Sequence, residues 1–331
     1  MSNEYIKIAR FKDVDAFRAR IDELKLDLPL DETVLSAEEA SPLAEPIEVG
    51  GIKVGNRWCI HPMEGWDANP DGSPSELTLR RWRNFGLSGA KLIWGGEAAA
   101  VQPDGRANPN QTLATPGNEN GLRQLLATLT DAHAENFGST DDLLVGLQLT
   151  HSGRFCRPND KVRWEPRIAY HHPLLDEKYG IEPNDDSIVW TDDDLHRLTD
   201  TYLSSAHLAY KVGFRFVDIK ACHGYLLHEF LSARVRTGPF GGSYENRTRL
   251  LKTIITRIRE ELPDLLIGVR LSFFDTVPFK TSTETGQPMD FSGHLPYIHG
   301  FGVDEDDPLQ ADLKEPLRLV GELKEAGVAL V

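Results

Sequence analysis

Apolar runs of strand length recur along the chain, at Trp58–Met63, Ala90–Trp94, Leu143–Leu149, Phe214–Ile219 and Leu265–Leu271, and "GVALV" ends it as a sixth. Between them lie segments with helix-start signals. "SPSELTLRRWRNFGLSG" offers Ser73 as N-cap, Pro74 at the first helical position and Glu76 to close a capping box. "TDDDLHRLTDTYLSSAHLAYKVG" starts on Thr191, sets three acids near the positive helix end and closes on Gly213. "SYENRTRLLKTIITRIREEL" and "DLKEPLRLVGELKEAG" follow the same logic. Strands alternating with such helices predict βαβ units and a parallel sheet.

Two architectures use this alternation. An open doubly wound sheet calls for a Gly-rich phosphate turn after its first strand, and "HPMEGWDANPDG" holds no G-x-G-x-x-G. A (β/α)8 TIM barrel instead gathers polar residues at the C-terminal strand ends. Glu64, Glu97, Gln148 with His151, Lys220 with His223, and Arg270 with Ser272 occupy such ends. The α/β barrel is the better reading. Only about its first six strands are present, so the expectation is a barrel missing strands seven and eight, with an open sheet edge. Residues 1–45 are read as an acidic N-terminal extension with a short helix near Val14–Leu24, and 46–331 as the barrel domain.

Composition adds modest limits. The chain has 331 residues, 40% hydrophobic and 26% charged, with a net charge of −15. That charge disfavours nucleic acid and anionic membranes as partners. No apolar stretch approaches the ~18 residues of a membrane span. The start lacks a signal-peptide pattern, and the three cysteines form neither CxxC nor a disulfide framework. A cytoplasmic protein acting on a small molecule is expected, with a homo-oligomer left open.

The candidate chemistry sits on the strand ends. Gln148, in "LLVGLQLTHSGR", is either an inward amide bonded to a neighbouring strand or one facing a polar heteroaromatic ring. Arg270, in "LLIGVRLS", cannot lose its proton and so needs an anion or an ion pair such as Glu97. In "KACHGYLLHEF", Lys220, His223 and Tyr225 share one turn. His223 and His228 lack the spacing of a zinc site, so no metal is expected. Cys222 has no evident base and reads as a small filler. Lys220 has a rival structural reading, an ion pair with Glu64 or Glu97. The long loops after the third and fifth runs read as pocket-shaping lids or surface cover, with Tyr170, His171 and Tyr297 as candidates.

"HGYLLHEFLS" followed by "GPFGGSYENRTRLL" resembles the signature of the Old Yellow Enzyme family of flavin oxidoreductases. "IHPM", "GGEAAAVQPDGR", "VGLQLTHSGR" and "IGVRLS" fall in the family's order at compatible spacing, from about Asn56 to the end. The resemblance implies FMN at the C-terminal mouth of the barrel, reduced by NAD(P)H and passing hydride to an activated alkene. By position it assigns Pro62, Met63, Glu64, Ala98, Gln148 and Arg270 to the flavin, with Arg270 beside its N1 and O2. His223 would polarise the substrate and Tyr225 would protonate it. Lys220 stands where the family has a first His, and Glu64 where it commonly has Thr or Cys. The Lys220 departure keeps flavin-dependent amine or alcohol dehydrogenation, or demethylation, as an alternative on the same fold. A flavin-free lyase or hydrolase using Lys220 is the rival class. An iron–sulfur cluster, which some members carry further downstream, would enter only if encoded beyond residue 331.

Overall fold

The computed structural model describes residues 6–31, 33–283 and 285–331. The chain divides into two compact units, Met1–Glu45 and Pro46–Val331. In the first, helix α1 (Val14–Glu23) is capped by Asp13, whose carboxylate accepts from the Ala16 amide at 2.8 Å.

The second unit opens on a hairpin of β1 (Ile47–Val49) and β2 (Ile52–Val54), turned by Gly50 and Gly51 at φ +55° and +80°. Two successive left-handed residues make the tight turn that matches strand twist. The hairpin's Val49 and Val54 pack with Leu92, Leu144 and Phe216. Each of those three residues opens a strand of the main sheet, so the hairpin plugs the N-terminal end of the sheet.

That sheet is parallel and runs β3 (Cys59–Ile60), β4 (Leu92–Ile93), β6 (Leu144–Thr150), β7 (Phe216–Ala221), β8 (Leu266–Leu271), with β5 (Ala98–Ala100) also on β6. Every residue of β6 and β7 is buried, as a sheet covered on both faces demands. The final run begins to pair beside β8, where the Val269 amide donates to the Leu330 carbonyl at 2.9 Å. This is the first part of a (β/α)8 barrel.

The covering helices are α2 (Glu76–Leu87), α3 (Glu119–Phe137), α5 (Asp192–Val212), α7 (Tyr244–Glu261) and α8 (Lys314–Glu325). Short α4 (Pro173–Tyr179) lies in the loop after β6 and α6 (Leu226–Leu231) follows β7. Thr191 and Gly213 cap α5 as expected, with Asp194 closing a capping box. At α2 the expectation is corrected. Ser75 is the N-cap and Thr78 completes the box, because Ser73 is held by Asp71. Helix α3 was not anticipated, although Leu122, Leu125, Leu129 and Ala132 form its buried stripe. The loop after β8 carries a small hairpin, Phe279–Lys280 with Gln287–Pro288. Among the described residues no helix is long and apolar enough to cross a membrane.

Candidate functional site

Strand register builds the site. Lys220 pairs with Arg270 across β7 and β8, Gln148 with Asp218 across β6 and β7, and Ala98 with Gln148 across β5 and β6. Gly95 lets the preceding chain approach this closely: at φ +85°, a Cβ there would lie 2.7 Å from the Gln148 amide nitrogen. The Ala98 amide donates to the Met63 carbonyl at 3.3 Å, and Arg270 Nη1 to the Pro62 carbonyl at 3.4 Å. Pro62, Met63, Glu64, Ala98, Gln148 and Arg270 therefore converge at one end of the sheet.

After β7 the chain turns sharply through His223 and Gly224, at φ +62° and +71°. A left-handed histidine is uncommon and is held here from both sides. Its amide donates to Ser272 Oγ at 3.1 Å, and the Gly224 amide to His228 Nδ1 at 2.8 Å. The turn delivers Tyr225 to the N-cap of α6 and aims its phenol back across the strand ends.

Glu64 is where the polar groups meet. Lys220 Nζ lies 2.8 Å from Glu64 Oε1, and the Tyr225 hydroxyl donates to Oε2 at 2.9 Å. The Trp66 indole N–H donates to the same oxygen at 3.3 Å. Lys220 Nζ also sits 3.6 Å from the centroid of the Tyr225 ring. Burial first, then the Glu64 charge, holds the Tyr225 phenol well above its ordinary pKa. Glu97 is not a partner of Lys220 or Arg270; Arg81 takes it at 2.7 Å.

Arg270 is half-buried and makes no ion pair among the described residues. Beside it, fully buried Asp218 accepts from Gln148 Nε2 at 2.5 Å, while among the described residues its Oδ1 accepts no hydrogen bond. Burial pushes the Asp218 carboxyl up to about 6. Asp218 is not among the residues the sequence singles out above, although a lone acid inside "FRFVDIK" is a signal in its own right.

His223 stands apart from the Glu64 cluster in its contacts. It lines a pocket of about 220 Å³ with Phe155, Tyr170, His172, Tyr297 and His299, among others. Tyr170 and Tyr297 are thus pocket residues, whereas His171 turns to Asp176, 2.6 Å away. Burial first, then the Lys220 and Arg270 charges, lowers the His223 pKa and keeps its ring neutral near pH 7. Burial pushes the Cys222 thiol up to about 11, which rules out a ready thiolate. Arg154 of "HSGR" is fully buried between Asp176 and Glu229 and accordingly pins the β6 loop to α6. Among the described residues no cluster of His, Cys, Asp or Glu is placed to hold a metal.

Residues 42–296 match the profile of the NADH:flavin oxidoreductase / NADH oxidase family. The chain belongs to that family. It is 31% identical over 245 residues to an NADH:flavin oxidoreductase of Gibberella zeae, covering 70% of this chain and 56% of the relative. It is 27% identical over 273 residues to the NADPH dehydrogenase of Bacillus pumilus, covering 79% of this chain and 71% of that enzyme. The chain thus spans little more than half of the first relative's length. Among solved structures, morphinone reductase superposes with a TM-score of 0.61 at 22% identity, over 87% of this chain and 70% of that one. Old Yellow Enzyme from Pichia sp. gives 0.52 at 20% identity, over 69% of this chain and 59% of that one. At these identities the superpositions show the fold of the flavin oxidoreductase family.

Proposed function

We propose that this chain forms the FMN-binding barrel of an NAD(P)H-dependent oxidoreductase that reduces an activated carbon–carbon double bond. The observation that carries the reading is Arg270, a permanent cation at a barrel strand end whose side chain, among the described residues, donates only to the Pro62 carbonyl at 3.4 Å. An electron-accepting heteroaromatic ring that gains negative charge on reduction fits that cation. The neighbouring groups fit the ring too: the backbone of Pro62, Met63 and Ala98 as a floor, and the Gln148 amide at its edge, its Nε2 held by Asp218. Glu64 would border it. When bound, FMN supplies hydride transfer, accepting from NAD(P)H and giving to the substrate.

The chain's own residues do the rest. Neutral His223 donates a hydrogen bond to the substrate's electron-withdrawing group. Lys220 adds positive potential there, moderated by Glu64 at 2.8 Å. Tyr225 supplies the proton, and the phenolate left behind is stabilised by Lys220 over its ring. Glu64 holds the phenol in place and keeps it protonated beforehand. A specific feature also favours the reverse direction as a second reading: a phenol bonded to a carboxylate can pass a proton away from a substrate being dehydrogenated. A Schiff-base role for Lys220 is disfavoured, because its Nζ is already engaged by Glu64 at 2.8 Å. The reading places the enzyme in the cytoplasm.

The test is NADPH consumption by the FMN-loaded full-length protein with 2-cyclohexen-1-one. Oxidation of NADPH matched by cyclohexanone formation supports the reading. Flavin that stays oxidised under excess NADPH and NADH would sink it.

A further inference from the structure

Arg157 lies between two indoles, 4.4 Å from the Trp164 ring centroid and 5.2 Å from that of Trp66. Its Nε donates to the Ala107 carbonyl at 3.1 Å and Nη1 to the Lys161 carbonyl at 3.0 Å. Among the described residues no hydrogen bond uses Nη2, and no carboxylate pairs with the guanidinium. The surrounding acids are committed elsewhere. Glu165 is held by Asn159 and Arg163, Asp160 by the Val162 and Arg163 amides, and Glu64 by Lys220 and Tyr225.

The two indoles tie this guanidinium to the reacting groups. Trp66 donates to Glu64, and Trp164 leads through Phe155 to Tyr225, with centroid distances of 6.3 and 5.9 Å. Lys220 is answered by Glu64 and Arg270 lies within the field of Asp218, whereas among the described residues Arg157 is paired with no acid, within a protein of net charge −15. A fixed planar cation beside aromatic faces is built to take a planar carboxylate by paired hydrogen bonds.

We propose that Arg157, clasped by Trp66 and Trp164, is a specificity-determining residue that binds a carboxylate of the substrate. The substrate's unsaturated body then lies along Trp164, Phe155 and Tyr225. The substrate class is therefore a planar, conjugated or aromatic carboxylate. This assignment rests on the reading of Tyr225 and Lys220 as substrate-facing groups.

Calorimetric titration of the purified full-length protein with trans-cinnamate and with its neutral counterpart trans-cinnamamide tests it, alongside R157Q and R157K. The expected result is at least tenfold tighter binding of cinnamate by the unaltered protein. R157Q removes the preference while the protein stays folded by circular dichroism, and R157K, which keeps the charge without the planar fork, retains part of it. Equal affinities, no binding of either ligand, or a preference that survives in R157Q would overturn the proposal. Flavin content is read separately from the visible spectrum. A colourless protein that prefers cinnamate defeats the flavin reading and leaves the anion site standing; a yellow protein with no preference does the reverse.

Discussion

Lys220 and Glu64 form a buried ion pair, 2.8 Å apart, with side chains only 5% and 8% exposed. The cation that ends β7 is thus answered by an anion from the segment after β3. Breaking one half of such a pair leaves an uncompensated buried charge, worth roughly 3–5 kcal/mol. We therefore expect Glu64→Thr and Lys220→His each to lower stability by about 3 kcal/mol, with the double variant losing clearly less than the sum. A denaturant-unfolding cycle measures this, and strict additivity would show that the two residues do not depend on each other.

Tyr225 donates to Glu64 at 2.9 Å, and we propose it as the group that protonates the substrate. Tyr225→Phe should lower the rate of alkene reduction by about 100-fold or more, the usual weight of a positioned general acid. Flavin reduction by NADPH, followed by stopped flow, should change little. Loss of both half-reactions together would instead mark Tyr225 as a structural support.

Asp218 brings a pH dependence with a definite sign. Its carboxyl is raised from 3.8 to about 6 by burial, so the folded protein binds this proton more tightly than the unfolded chain. Its contribution is fully present below about pH 4 and is lost as pH rises through about 6. Asp218→Asn keeps an amide oxygen for Gln148 and removes the ionisable group. The variant should gain on the unaltered protein as pH rises from 4 to 8, by up to roughly 3 kcal/mol on the scale of 1.36 kcal/mol per pKa unit. Chemical denaturation across that range checks it, and a pH-independent difference would assign the burden elsewhere.

The parallel strands were legible because a sheet covered on both faces writes itself as unbroken apolar runs, and β6 and β7 do so. The polar residues ending those runs were legible for the same reason, since Gln148, Lys220 and Arg270 interrupt them. The start of α2 was misplaced by two residues, because Ser73-Pro74-Ser75 offers two serines and only tertiary contacts choose. Ser73 goes to Asp71, which leaves Ser75 to cap the helix. The choice of Glu64 over Glu97 for Lys220 is likewise tertiary: Arg81, on α2, had already taken Glu97. The clasp of Arg157 had no local signature at all. Trp66 and Trp164 come from different loops, and no periodicity records that they meet.

The central claim is that Arg270 completes a flavin site, and the visible spectrum of the purified protein with FMN tests it most directly. We predict bound FMN, with its absorbance shifted from that of the free cofactor and retained through gel filtration. Arg270→Leu should lose most of that binding at unchanged melting temperature, while Arg270→Lys keeps part of it. A colourless protein that takes up no added FMN, or an Arg270→Leu variant that binds it as tightly as the unaltered chain, would contradict the account.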